Sequence, residues 1–474
     1  MKNNRLYVDV HILQTVPPSC INRDATGSPK IAVYGGVKRA RISSQSWKNA
    51  IRKMFSEELY LPTDLGTRTK RLAEKIAEQV RVQAPDLQKS NIEILESVRN
   101  VVNLAAKNPI IPDISYDGIK KTLNKAAKEW KDTGEDYEEN HLVDEVKELF
   151  VDKEITEVDL SSANTIKDIF KTLDPFFTKN AADDKKRMQS IILETLLLSQ
   201  TVRELSGTET DALFFIGNNE TEAIASLVVY VLQNNVDTTE KNAKKELEKQ
   251  VQEALNVRED KVYAVDVAMF GRMVAKNPKI NADASVQVAH AISTHKVVNE
   301  FDYFTAVDDF PSDEKEDAGA SMIGDVEYNS STLYRYATVA VHDLFRQLGS
   351  KEATTKAVVS FVDAFVRSMP KGKQNTFANW TPPDAVLVTI RTNQPINLVG
   401  AFERPIEKSE KGYREASAVE FIKHAKETYK NWLGEPDVSL VTGEFFAELG
   451  VQKSLQDLLT ALAGEVRDRI IIEE

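Results

Sequence analysis

The 474-residue chain has a single cysteine, Cys20, so no internal disulfide is possible, and neither a zinc ribbon nor a CxxC redox motif can be assembled. Cys20 reads as a small buried residue. No stretch approaches eighteen uncharged apolar residues, and the N-terminus lacks the apolar core and cleavage site of a secretory signal. A cytoplasmic protein without membrane contact is expected. Catalytic signatures are equally scarce: there is no GxxxxGK phosphate loop, no GxGxxG, no HExxH and no GxSxG. The six histidines are His11, His141, His290, His295, His342 and His424. His290 and His295 lie five apart in a segment that does not read as one helix, so a metal pair is not expected. Asp308 and Asp309 read as part of a solvated hairpin tip rather than a cation site. The expectation is a non-enzyme with no catalytic residue, no cofactor and no metal.

With 42% hydrophobic and 28% charged residues the chain can bury a large core, and two or three structural units are expected. The net charge of −12 argues against a polyanion partner. Residues 1–58, however, hold ten basic residues against Asp9, Asp24, Glu57 and Glu58, a local balance of +6 that leaves −18 elsewhere. That asymmetry suits a protein that grips a polyanion with one surface and repels nonspecific partners with the rest.

Residues 5–16 read as a strand ended by Pro17-Pro18, and residues 19–42, with Gly27, Pro29, Gly35 and Gly36, as irregular exposed backbone. Ser43 or Ser44 can cap a helix to about Glu58, with Trp47, Ile51, Met54 and Phe55 toward the core and Gln45, Lys48 and Arg52 on another face. Residues 59–260 read as an inserted helical unit, with helices over 67–83, 90–106, 116–131, 139–149, 184–204, 219–234 and 239–256. Strands are expected over 262–270, 294–307 and 325–341, the last two joined by an acidic tip, then a helix over 350–368, a strand over 383–392 and helices over 414–433 and 451–468. This order is compatible with a ferredoxin-like βαβ core carrying insertions.

Lys38, Arg39, Arg41, Lys48, Arg52 and Lys53 fall within sixteen residues, and Ser43-Ser44-Gln45-Ser46 adds hydroxyls, an amide and the free N–H groups of a helix start. These donors hold phosphate oxygens without reading bases, although a solvated basic helix face has the same look. A second basic loop is Pro370-Lys371-Gly372-Lys373-Gln374-Asn375. Phe270, Met273, Tyr303 and Phe304 are candidates to stack on or wedge between bases, with core packing as the alternative fate.

The stretches Pro18 to Asp24 and Tyr34-Gly-Gly-Val-Lys-Arg-Ala-Arg-Ile-Ser-Ser-Gln-Ser-Trp-Lys48 resemble the N-terminus of the CasC family, the backbone subunits of the type I-E CRISPR Cascade complex. Gly271-Arg-Met273, Ala289 to His295, Asp302 to Asp309, Tyr334-Arg-Tyr-Ala337 and Gly372-Lys-Gln374 continue the resemblance in the same order. It implies an α+β protein: an RRM/ferredoxin-like palm over 1–58, 261–293 and 337–474, a helical finger domain over 59–260, and a β-hairpin thumb over 294–336. It further implies a non-catalytic subunit that polymerises along CRISPR RNA as part of an antiviral ribonucleoprotein. Further copies of itself and other Cascade subunits are the implied partners, and target DNA pairs with the guide. The implied RNA-binding residues are Asn22, Arg23, Arg41, Ser43, Ser44, Gln45, Lys48, Arg52, Lys373 and Gln374, with Met273 near a kinked base and Phe304 stacking beside a displaced nucleotide. The helical unit is about a hundred residues longer than the resemblance leads one to expect, Asn49 stands where a basic residue is usual, and the acidic helices of 405–474 are expected to face a neighbouring subunit. The alternatives are an RNA-processing endonuclease of the same system and a general single-strand RNA-binding protein.

Overall fold

The computed structural model describes residues 5–104, 111, 115–133, 136–177, 183–199, 210, 213–255, 263–274, 278–306 and 322–471. Two compact units emerge: Met1–Pro62 with Ala268–Gly271 and Asp283–Glu474, and Thr63–Val267 with Arg272–Ala282. The chain thus leaves the first unit after residue 62 rather than 58, and residues 261–267 and 272–282, expected in the palm, belong to the helical unit.

The first unit is built on a sheet whose strands are β1 (Tyr7–Ser19), β2 (Ile31–Tyr34) and β3 (Val37–Ile42), with β6 to β12 from the C-terminal part of the chain. The small ladder of β4 (Thr67–Thr69) and β5 (Phe214–Ile216) lies in the helical unit. The later strands are β6 (Val286–Val288), β7 (Ala291–Ser293), β8 (Glu300–Ala306), β9 (Met322–Ala340), β10 (Ala385–Arg391), β11 (Val438–Thr442) and β12 (Val451–Gln452). The order is β12-β11-β10-β1-β9-β7-β3-β2, and β6 and β8 also pair with β9. Within it, β10-β1-β9-β7 is a ferredoxin-like order, with the Ser44–Met54 helix following β1 and the Lys351–Arg367 helix crossing from β9 to β10. The fold is α+β on an RRM-like palm.

The pleat of β1 separates two cores. His11 and Leu13 face Tyr334, Tyr336, Phe402, Phe421 and Phe446, on the side covered by the Arg414–Thr428 helix. On the opposite face Arg335 is sandwiched between Trp47, 3.7 Å from its ring centre, and Phe365 at 4.6 Å. Its guanidinium donates to Gln14 Oε1 at 2.6 Å and to the Phe365 carbonyl. The Arg414–Thr428 helix spends its apolar side (Ala418, Phe421, Ala425) on its own sheet.

Three local readings need correction. Pro17 and Pro18 do not end β1: the strand runs to Ser19, with a register shift between Val16 and Ser19 that accommodates two residues lacking ladder N–H groups. Residues 31–42 are a hairpin, not irregular backbone, because Gly35 (φ +58°) and Gly36 (φ +77°) adopt the left-handed values that a two-residue type I′ turn demands. Val265–Phe270 is a helix rather than a strand; Val267 to Phe270 are all buried, so the run carries no periodicity to betray it.

The second unit is helical: Leu72–Gln83, Asn91–Leu104, Tyr116–Thr133, Asp136–Asp152, Ile166–Leu173, Asp183–Leu196, Asn218–Gln233 and Lys241–Leu255. It holds two separate apolar clusters, one centred on Val98, Ile224 and Val251, the other on Ile119, Val146, Phe170 and Leu193. The second cluster is drawn wholly from residues between Tyr116 and Leu197. Ile166–Leu173 is a helix the sequence reading passed over; Thr165 and Asp168 form its capping box. Among the described residues no helix is long and apolar enough to cross a membrane.

Candidate nucleic-acid interface

The basic N-terminal segment organises around the start of the Ser44–Met54 helix. Ser43 is its N-cap, accepting from the Ser46 amide at 3.4 Å, and is itself buried. Its own amide donates to Asn22 Oδ1 at 2.9 Å, which ties the Cys20–Asp24 loop to the helix start. No acidic residue occupies the first turn, so the helix start keeps its positive character, and Arg52 and Lys53 add charge in the last turn. Trp47, Ala50, Ile51 and Met54 are buried. Gln45 is exposed and Lys48 and Arg52 are half-buried on the adjoining face.

The second basic loop joins this site from 350 residues away. Gly372 packs so closely that a Cβ there would sit 2.0 Å from the Ile21 carbonyl oxygen and 2.8 Å from that of Cys20. Lys373 (φ +42°) and Gln374, both half-buried, start the short Gln374–Phe377 helix beside Arg23, which is exposed. Burial pushes the Cys20 thiol up, and the nearby Lys373 and Arg23 charges pull against it. Asn22, Arg23, Ser43, Ser44, Gln45, Lys48, Arg52, Lys373 and Gln374 thus belong to one unit, on three segments held together by backbone contact and the hydrogen bond from the Ser43 amide to Asn22 Oδ1.

Other candidates fare differently. Arg39 is not a surface cation: fully buried, it donates to the carbonyls of Ser293 (3.0 Å), Phe402 (2.8 Å) and Tyr34 (3.2 Å) and braces the β2–β3 hairpin. Arg41 is half-buried, with its Nε on the Ile31 carbonyl and its guanidinium 3.4 Å from His290 Nδ1. Burial, Arg41 and Lys30 together hold the His290 ring below the usual histidine range. His295 stacks on Tyr413 at 3.6 Å; its Nε2 accepts from the Thr332 amide and its Nδ1 contacts the Lys296 carbonyl, so both nitrogens are engaged in the neutral form.

Phe270 is buried with Phe55 and Phe361, the Lys48 ammonium 5.9 Å from its ring, and is therefore no stacking platform. Met273 lies in the helical unit and is 84% exposed. Beside it, Arg272 is buried and salt-bridged to Glu220 at 2.8 Å. On the β8–β9 hairpin Phe304 pairs with Gly324, and its ring lies where a Gly324 Cβ would be, 2.7 Å from Cζ. The strand alternation turns Phe301 and Tyr303, 69% and 62% exposed, to the opposite face. The acidic tip, with Asp308, Asp309, Asp313, Glu314, Glu316 and Asp317, lies outside the described residues.

The sequence reading missed a cavity of about 620 Å³ in the first unit, framed by the loop after β1, the Ser44–Met54 helix with the turn after it, and the Ser368–Gly372 segment. Trp380, 51% exposed, also lines it. Nothing in the spacing of Glu57, Ser368 and Trp380 announces that they share a wall.

These features define a class: an α+β protein with a ferredoxin-like palm, an inserted helical unit and a β-hairpin rising from a central strand. The chain belongs to the CT1975-like protein family, whose pattern it matches over residues 8–127 and 141–461. Its fold resembles a chain of a solved CRISPR RNA-guided surveillance complex in a pre-nicking state, with TM-score 0.66 and 24% identity over 97% of this chain and 100% of that one. A chain of a second CRISPR RNA-guided surveillance complex gives 0.58 and 21% over 97% and 99%. No curated protein matches the chain.

Proposed function

We propose that the chain is a CRISPR RNA-binding backbone subunit of a type I-E Cascade-like surveillance complex, without a reaction of its own. Copies of it polymerise along the guide and present it for pairing with target DNA. The observation that carries the reading is the backbone-to-backbone contact of Gly372 with Cys20 and Ile21, which gathers Arg23, Lys373 and the Gln45/Lys48/Arg52 face into one basic surface on an otherwise acidic protein. Cationic and amide donors of this kind hold a phosphate backbone in register, while sequence is read by base pairing. Phe304, anchored on Gly324, and the exposed Met273 are the side chains assigned to the bases. The family membership and the fold of solved surveillance-complex chains support the assignment.

The test is to purify the protein with its bound nucleic acid from cells carrying a CRISPR repeat array and to sequence that RNA. Guide RNA of repeat-spacer origin is expected. With Lys48→Glu and Arg52→Glu together, the yield should fall for all spacers alike, because phosphate contacts carry no sequence information. Recovery of unrelated cellular RNA, or a loss confined to one spacer, overturns the reading.

A further inference from the structure

We propose that the cavity beside the Ser44–Met54 helix is a ribonucleotide pocket: it takes one nucleotide of the bound strand, stacks its base on Trp380 and reads its ribose hydroxyl. This rests on the RNA-binding reading above and adds a site to it. The cavity, about 620 Å³, is of the size that holds small organic ligands, roughly 300–1,000 Å³. Arg23, Lys53 and Lys371 line it and form no ion pair among the described residues, so their charge is available to a phosphate. Of the carboxylates at its wall, Asp24 is consumed by its own turn, accepting from the Thr26 hydroxyl at 2.6 Å and the Thr26 and Ser28 amides. Glu58 is held by Arg367 at 3.0 Å. Among the described residues Glu57 pairs with no cation, which leaves an acceptor suited to a hydroxyl or amino donor rather than to phosphate.

A further observation points to a ligand. Trp380 offers half of a large apolar ring to solvent at the same wall, the exposure that base stacking converts into burial. The pocket also adjoins the phosphate-binding face. At 100° per residue, Asn49, which lines the cavity, falls between Arg52 and Lys53 round the helix, so the phosphate-binding face and the pocket are contiguous. A carboxylate bonded to the 2′-hydroxyl would make the site prefer RNA to DNA.

The experiment measures affinity of the purified full-length protein for labelled single-stranded RNA and for DNA of the same sequence. It compares wild type, Trp380→Ala, Trp380→Phe and Glu57→Gln, with thermal melts as the check on folding. Trp380→Ala should weaken RNA binding about 5- to 150-fold, and Trp380→Phe, which keeps a ring, should restore most of it. Glu57→Gln should shrink the RNA-over-DNA preference by about tenfold, whatever the loss of its negative charge does to phosphate binding common to both strands. If wild type binds RNA and all three variants match it in affinity and preference, the pocket is overturned and the backbone-binding reading stands. If wild type binds no RNA, both fall.

Discussion

Alanine at position 372 adds a single methyl group where the structure has no room for it. The new carbon would lie 2.0 Å from the Ile21 carbonyl oxygen, whereas ordinary contact begins at 3.4 Å, so the two loops must part by 1.4 Å. Both obstacles are backbone atoms, so no side-chain rotation relieves the clash. Overpacking of this kind costs about 1–3 kcal/mol, and the melting midpoint should fall by about 2–12 °C. The functional consequence is separable from the loss of stability. If parting the loops withdraws Lys371 and Lys373 from the strand, the salt dependence of RNA binding should flatten by about 0.7 per lost phosphate contact, or about 1.4 for two. The assay is binding to single-stranded RNA by anisotropy across a salt series, below the melting range of the variant. Gly464→Ala is the control: it lies inside the Leu455–Arg469 helix with nothing within 4 Å of its added carbon. It should stabilise by about 0.5–1 kcal/mol and leave the salt slope unchanged. A Gly372→Ala protein with wild-type melting and wild-type slope would show that the contact does not hold the basic loops together.

Pure protein incubated with guide precursor or duplex DNA, with and without Mg²⁺ or Mn²⁺, is expected to leave both intact; cleavage that survives purification and disappears with a point change in this chain would make it a nuclease. Stability against pH offers an independent check on the buried sheet. Burial raises the Asp9 carboxyl to about 6, against hydrogen bonds from Tyr336 and Ile396 that favour its charge, and burial lowers the His11 imidazole to about 3. Between pH 4 and 6 the folded state holds a proton on Asp9 that the unfolded chain has lost, and lacks one on His11 that the unfolded chain holds; the two slopes oppose each other. Asp9→Asn removes the first alone, so its stability relative to wild type should fall by about 2–3 kcal/mol from pH 6 to pH 4, measured by denaturant titration at each pH. Parallel pH profiles of the two proteins would refute the assignment of these buried protonation states.

The parts of the structure that a reader of the sequence can see are those set by local periodicity. Trp47, Ile51 and Met54 recur at helical spacing after a serine cap, and the helix is where that spacing puts it. The alternating residues of Asp325–Val341 likewise read correctly as a long strand. What escaped depended on partners distant in sequence or on turn chemistry read as disorder. Arg39 looks like its basic neighbours Lys38 and Arg41, yet strand alternation turns it inward onto carbonyls supplied by residues 293 and 402. Phe304 and Tyr303 are adjacent aromatics with opposite fates, decided by Gly324 across the hairpin. The meeting of Gly372 with Ile21, and the cavity beside it, follow from a chain crossing that no local pattern encodes.

Strand β9 carries a mechanical consequence. Its nineteen residues, about 60 Å of extended chain, pair with β8 at one end and with β1, β6 and β7 at the other, and residues 325–340 contain neither glycine nor proline. The hairpin is thus a cantilever clamped in the middle of the sheet rather than a flap on a flexible root. A load at its free end is borne by the β1–β9 ladder, where bonds from Tyr7↔Ala340 to Ser19↔Asn329 share it along the strand axis. A compliant point is the register shift opposite Asn329 to Ser331, close to where the pairing passes from β1 to β8. Bending should concentrate there, so that β8 and the part of β9 paired with it swing through small angles about a fixed pivot while the sheet behind them stays undeformed.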